Sequence, residues 1–345
     1  MVALGAAFDD VALVVSREER GPWRITTKGT GIDGTISIAE PIRHTPIDAR
    51  FERLHVRRDS TLRSVDESTE RISIEPSSLP SARVVVQRLR YNDVELGLAK
   101  LVLEATDHGL VLREIFALNE AFEIRGAGHW KGPAKSAQSR FELRLHSDDF
   151  GQFTQAFGYG DSGIEGGVAE ITIKANWSGS PFAFALDQIQ GELHFRGTGG
   201  RLREVEPGMT GRVFGLLNLS VLPRRLLFLD FKDLFEEGVS YELIEGSFAL
   251  SDGNALTENV VMQTQTAQVQ LKGRVGLVVQ DYDQVMTVTP KLSASLPLAP
   301  IWLAEKLLNL KLIDNAFAYQ YIITGSWADP QVQRIRVEVP LRETQ

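Results

Sequence analysis

The chain has 345 residues, 43% of them hydrophobic and 24% charged. That is enough apolar material for one large core or two modest ones, and too much for a disordered chain. A net charge of −8 and a pI near 5.4 disfavour a nucleic-acid partner, which needs clustered positive charge. With no cysteine anywhere, neither a disulfide framework nor a Cys-based metal site exists.

The N-terminus lacks a basic leader, and Asp9 and Asp10 cut its apolar run short, so it does not read as a signal peptide. No segment offers the roughly 20 apolar residues that a membrane-spanning helix needs. Residues 1–80 read as short strands between turns: Phe8–Val15, Trp23–Thr27, Thr35–Ile38, Phe51–Val56 and Arg71–Ile74. The arginines at 50, 53, 57, 58 and 63 are interrupted by Asp48, Glu52 and Asp59, which describes a solvated face. Ser60–Thr69 reads as a polar loop. Ser77–Ser81, with Pro76 before it and Pro80 within it, is the expected linker, giving a first region of residues 1–80 and a second of 81–345.

Beyond Arg83 the period-2 alternation of half-buried strands is clearer. Leu143 and Leu145 share one side with Phe141, opposite Glu142, Arg144 and His146. Ile171 and Ile173 stand opposite Thr172 and Lys174, and Leu193 with Phe195 and Val269 with Leu271 extend the pattern. Such one-sided strands are the product of antiparallel sheets. Trp130, Trp177 and Trp327 each precede a turn containing Pro and close a strand, a weak internal repeat in which an aromatic covers the end of an apolar face. Helices are few: one near 149–157, capped by Ser147 or Asp148, one near 210–219, and one near 298–313. The last would span about 24 Å, short of a roughly 30 Å hydrocarbon core. Ile301, Trp302, Leu303, Leu307 and Leu308 make it a candidate for lying on a membrane or plugging an apolar opening, and burial against the protein's own sheet is an equal alternative.

Motifs that resemble catalytic signatures lack their context. Gly29-Thr-Gly31-Ile-Asp-Gly34 is a literal G-x-G-x-x-G, but a strand follows it where a dinucleotide fold needs a helix. Gly160-Asp-Ser162-Gly163 has no partner base segment and reads as a loop. The six histidines are scattered without metal-ligand spacing, and Asp281 and Asp283 read as a turn or cap. The expectation is a protein that is not an enzyme and carries no cofactor or metal.

From Glu204 to Gly253 the chain carries, in order, E-V-x-P-G, G-x-x-x-G-L-L-x-L, L-P-R-R-L, D-F-x-D-L-F-x-x-G and I-x-G-x-F-x-L-x-D-G, with D-Y-D-Q at Asp281–Gln284 and T-G-S-W-A-D-P at Thr324–Pro330 following. This series resembles the C-terminal region of the YhdP branch of the AsmA-like family. The resemblance implies a mainly β fold: an elongated, twisted antiparallel β-groove of the bridge-like lipid-transfer type, with a few short helices toward the C-terminus. It further implies a periplasmic conduit moving phospholipid between inner and outer membrane, with phospholipid acyl chains and envelope proteins as partners. Members carry an N-terminal membrane anchor, so this chain is expected to be a C-terminal piece, a complete small protein being the alternative. A scaffold for outer-membrane protein assembly, as in the related TamB-type proteins, is the competing function. The lining of such a groove would fall on Leu143, Leu145, Ile171, Ile173, Leu193, Phe195, Val269 and Leu271, unless these simply pack as core.

Overall fold

The computed structural model describes residues 2–3, 6–7, 10–42, 45–58, 74–157, 163–203, 239–291 and 318–335. The expected helices near 210–219 and 298–313 lie outside them, as do the loop Ser60–Thr69 and most of Gly160–Gly163. The fold is mainly β. Its strands are β1 (Val2–Ala3), β2 (Ala6–Ala7), β3 (Ala12–Arg17), β4 (Trp23–Lys28), β5 (Ile32–Ile38), β6 (Ile47–Arg58), β7 (Ala82–Tyr91), β8 (Val94–Thr106), β9 (Gly109–Leu118), β10 (Glu123–Lys131) and β11 (Gln138–Ser147). After the helix α1 (Phe150–Ala156) follow β12 (Ile164–Ser178), β13 (Gln190–Leu202), β14 (Val239–Ser251), β15 (Asn254–Gln263), β16 (Ala267–Gly276), β17 (Asp281–Pro290), β18 (Tyr319–Ser326) and β19 (Pro330–Ile335).

The chain divides into two units. The first comprises Met1–Asp148, Ala156–Gly158 and Glu170–Gly191, and the second Asp149–Gln155, Tyr159–Ala169 and Glu192–Gln345. In the first unit β3 to β6 form an antiparallel meander, and so do β7 to β11. The two meanders join through β6 and β7, which run parallel, from Ile47 opposite Ala82 to Val56 opposite Tyr91. Parallel neighbours need a long crossover, and residues 59–81 supply it. Its end packs rather than dangling: Pro76 is buried, the Ala134 amide donates to Glu75 Oε2 (3.0 Å), and the Ala105 amide donates to Ser81 Oγ (2.9 Å). The expected linker Ser77–Ser81 therefore lies inside the first unit.

In the second unit β14 to β19 continue as an antiparallel meander. Asp252-Gly253 turns β14 into β15 with φ of 50° and 72°, the pair of positive values a two-residue hairpin turn requires and that Asp-Gly tolerates. No pairing closes either series into a barrel among the described residues.

Two expectations are corrected. The α1 cap is Asp149, whose Oδ1 accepts the Gln152 amide at 3.0 Å, one residue later than expected. The expected D-Y-D-Q turn is the start of β17, where Asp281 is drawn into a clasp. Arg274 on β16 donates to both Asp281 oxygens (2.8 and 2.9 Å) and to Asn254 Oδ1 on β15 (3.0 Å), and the indole of Trp327 donates to the Asp281 carbonyl (3.3 Å). The three tryptophans expected at strand ends stand there, Trp130 at the end of β10, Trp177 at the end of β12 and Trp327 just past β18.

The Arg274 hydrogen bonds, and then its charge, hold the Asp281 carboxyl below its ordinary range. A carboxyl depressed by folding contributes stability above its unfolded pKa, and that contribution is lost as pH falls through the folded value. Both side chains are about a third exposed, so the pair is worth roughly 1 kcal/mol. Arg274→Met is expected to lower the urea midpoint at neutral pH, with the gap from wild type narrowing as the buffer is taken to pH about 3. A gap that does not narrow would remove the ion pair as its cause.

Candidate functional site

In a β-ladder, directly opposed residues share a face. Following the register through the first unit gives one row: Val15, Ile25, Ile36 and Ala49 on β3 to β6, then Val84, Leu101, Ile115, Gly126 and Leu143 on β7 to β11. Every member is apolar or glycine across nine strands. The adjacent row on the other face reads Val14, Thr26, Thr35, Arg50, Val85, Lys100, Phe116, Arg125 and Arg144, six of its nine members polar. There the Phe116 ring lies between Lys100 (5.5 Å) and Arg125 (5.1 Å), a cation–π sandwich that solubilises an outward-facing aromatic. Arg144–Glu142 (3.0 Å) and Arg113–Glu104 are exposed ion pairs of the same face. Such pairs add little stability, but they keep that face wet.

The apolar face is only partly covered. Ile32, Ala49, Phe51, Val86 and Ala99 form a buried patch, with Ile36, Leu54, Val84 and Leu89 against it. Farther along the row Leu101, Ile115 and Leu143 are half-buried, as is Leu145 on the same face. At the β10 end Trp130 is buried with Leu110 and Ala137, and Leu79 of the crossover packs on them. The indole Nε1 of Trp130 is buried without a hydrogen-bond partner among the described residues. Glycines thin the floor where large neighbours lie across it. A Cβ at Gly128 would meet the Phe141 ring at 2.7 Å, and one at Gly126 would collide with the Leu143 side chain.

Phe141 stacks on Trp177 with ring centroids 5.2 Å apart, which carries the face onto the Glu170–Ser178 part of β12. There Ile171 and Ile173 are half-buried and Ala175 and Trp177 buried. Four of the expected lining residues, Leu143, Leu145, Ile171 and Ile173, thus belong to the first unit.

The other four belong to the second unit. On β13, Leu193 and Phe195 are half-buried, and Phe195 stacks on Phe248 of β14 at 6.0 Å. On β16, Val269 faces Met262 and Val288, and Leu271 faces Val260 and Met286. This part of the second unit is closed: Met262 is 1% exposed, Val269 4%, Leu271 2%, Met286 2% and Ile323 2%. The two units therefore treat the same alternation differently. Ile301, Trp302, Leu303, Leu307 and Leu308 lie outside the described residues.

Several residues of the face were not anticipated, among them Val84, Leu101, Ile115 and the glycines at 126 and 128. Apolar side chains on the outer face, Val85, Val102 and Phe116, blur the period in β7 to β9. Bulges between Val102 and Leu103 and between Gly126 and Gly128 shift its phase. The usable signal was the pairing of small residues in β10 with the bulky Phe141 and Leu143.

Fold and face together define an open, largely antiparallel β protein with a long hydrocarbon-compatible surface. Among the described residues no group of three or more His, Asp or Glu side chains is placed to hold a metal ion, and no helix is long and apolar enough to cross a membrane. The sequence matches the profile of the YhdP protein family over residues 2–332, and the chain belongs to that family. Over its whole length it is 21% identical to the intermembrane phospholipid transporter YhdP of Escherichia coli strain K12, of which it spans 27%. No solved structure matches it.

Two polar side chains, Thr257 and Gln284, stand in one row of the closed face of the second unit. Gln284, 1% exposed, lies between Gly273 and Ile323, and its Nε2 has no hydrogen-bond partner among the described residues. A buried donor left unpaired costs about 1–3 kcal/mol. Gln284→Met keeps the volume and removes the donor, so it is expected to raise the urea midpoint by roughly 1 kcal/mol equivalent. A lowered midpoint would mean that the amide is satisfied in solution.

Proposed function

We propose that the chain is part of a phospholipid conduit that holds acyl chains on the apolar face of β3 to β11 and the adjoining part of β12, without catalysing a reaction. The observation that carries the reading is the unbroken apolar row from Val15 to Leu143, backed by a mixed, mostly polar row on the other side and left half-buried along much of its length. An acyl chain of sixteen carbons forfeits about 0.8 kcal/mol per wetted methylene, on the order of 13 kcal/mol in all, so movement along a protein needs an apolar path without wet gaps. The row supplies such a path locally. The E. coli relative named as an intermembrane phospholipid transporter supports phospholipid as the cargo and a place between two membranes, the periplasm, as the setting. In this reading Leu143, Leu145, Ile171 and Ile173 line the path in the first unit, Leu193 and Phe195 are half-buried apolar surface of the second unit by itself, and Val269 and Leu271 serve as its core.

Mass spectrometry of organic extracts from the purified chain is expected to find bound phospholipid. Leu143→Asp with Ile171→Asp puts charge where tails would lie and is expected to cut the bound lipid about tenfold while circular dichroism stays β-rich. Undiminished loading in the folded variant would remove these positions from the lining, and lipid-free wild-type protein would end the conduit reading.

A further inference from the structure

The strand β3 pairs with β4 along one side, and among the described residues its backbone bonds to nothing along the other. An open row of amides and carbonyls is a template for a further strand, and proteins guard such edges with charge, proline or a bulge. The second unit follows that rule. Its strand β19, also paired on one side only among the described residues, opens with Pro330 and carries Gln331, Gln333 and Arg334. The edge at β3 is unguarded. It has no proline, keeps an unbulged register with β4 from Ala12 to Arg17, and is apolar at its centre, where Leu13 is 50% exposed, Val14 62% and Val15 59%. Leu13 and Val15 stand on the apolar face of the sheet and Val14 on the outer one, so water meets hydrocarbon on both sides of the same edge.

Such an edge accepts an extended strand that is itself apolar on both faces, and β3 is a strand of that kind. Opposed residues in a ladder share a face, so a two-fold axis perpendicular to the sheet can pass through a single residue type of β3 paired with itself. The antiparallel register centred on Val14 sets Val14 against Val14, Leu13 against Val15 and Ala12 against Ser16, so each exposed apolar side chain meets another. Arg17 falls opposite Val11, and in its own copy it is held by Glu40 (3.1 Å) and stacked on Trp23 (4.9 Å). Around each end of this seam Arg17, Arg20, Arg24 and Lys28 are matched by Asp10, Glu18, Glu19 and Glu40, so net charge does not oppose the contact.

We propose that two copies of the chain join edge to edge through β3, antiparallel and centred on Val14. The axis keeps both apolar faces on the same side, with Val15 of one copy beside Leu13 of the other, so the two faces run into each other across the seam. The proposal is independent of the conduit reading, because the pairing uses backbone groups and edge side chains and needs no lipid.

The test is sedimentation velocity of the purified chain from low to high micromolar concentration. A reversible monomer–dimer equilibrium is expected, since a seam of one short strand is small enough to part on dilution. Val14→Lys sets two ammonium groups face to face on the axis and is expected to raise the dimer dissociation constant about tenfold or more. Val14 is exposed in the single chain, so the variant is expected to stay folded, which circular dichroism checks. Because the chain has no cysteine, Val14→Cys places one thiol per copy on the axis, where opposed Cα atoms lie about 4.5–5.5 Å apart, within disulfide reach. Oxidation is expected to trap that variant as a covalent dimer. Ser16→Cys sets its two thiols about 13 Å apart along the seam and is expected to remain unlinked. The proposal is overturned if the chain is monomeric throughout, if folded Val14→Lys dimerises as wild type does, or if Ser16→Cys links as readily as Val14→Cys.

Discussion

A β-sheet with one greasy side must find something to lay over it, and in the first unit the described residues offer too little. The alternation of side chains along each strand is a local rule, but alignment across nine strands is a cooperative one, because a slip of one residue anywhere would send apolar groups into water. Bulges and glycines absorb the local mismatches, so Leu101, Ile115 and Leu143 still line up. The rest of the unit serves that surface. The arginines and lysine of the outer row, with the ion-paired Glu104 and Glu142 beside them, help keep the reverse side soluble, and Pro76 and Leu79 of the crossover pack at one end.

The second unit solves the same problem by closure. Its face is populated by Met262, Leu271, Met286, Tyr321 and Ile323, all nearly inaccessible, and its sheet end is fastened by the Arg274–Asp281 clasp. The residue types on the two faces are alike, so the difference lies in what each face meets and not in hydrophobicity. This is why strand patterns such as Val269–Leu271 and Leu143–Leu145 look equivalent in the sequence yet end in different surroundings.

Much of the architecture was legible beforehand. The β class, the antiparallel pairing and the three strand-closing tryptophans follow from period-2 alternation and turn chemistry, and α1 from its capping residues and helical spacing, all of which are local. The family followed from a run of phrases between Glu204 and Pro330. What stayed hidden is non-local. The parallel partnership of β6 and β7 depends on a long connection, and nothing in the sequence says that the strands on either side of it pair with each other. The strand role of Asp281 depends on Arg274 across the ladder, since Asp-Tyr-Asp alone suggests a turn. In the face itself, Val84 and Leu101 were obscured because apolar neighbours on the outer side removed the contrast that alternation needs.

The parallel junction of β6 with β7 also has a consequence for how such a protein can be lengthened. In an uninterrupted meander each added strand reverses the direction of travel, so only even additions return the polypeptide to its starting end. A crossover resets that parity: β7 sets off from the same end as β6, so the five strands from β7 to β11, an odd number, leave the chain at the end where β6 left it. Blocks of this kind can be duplicated or deleted whole while the greasy side stays on one side throughout.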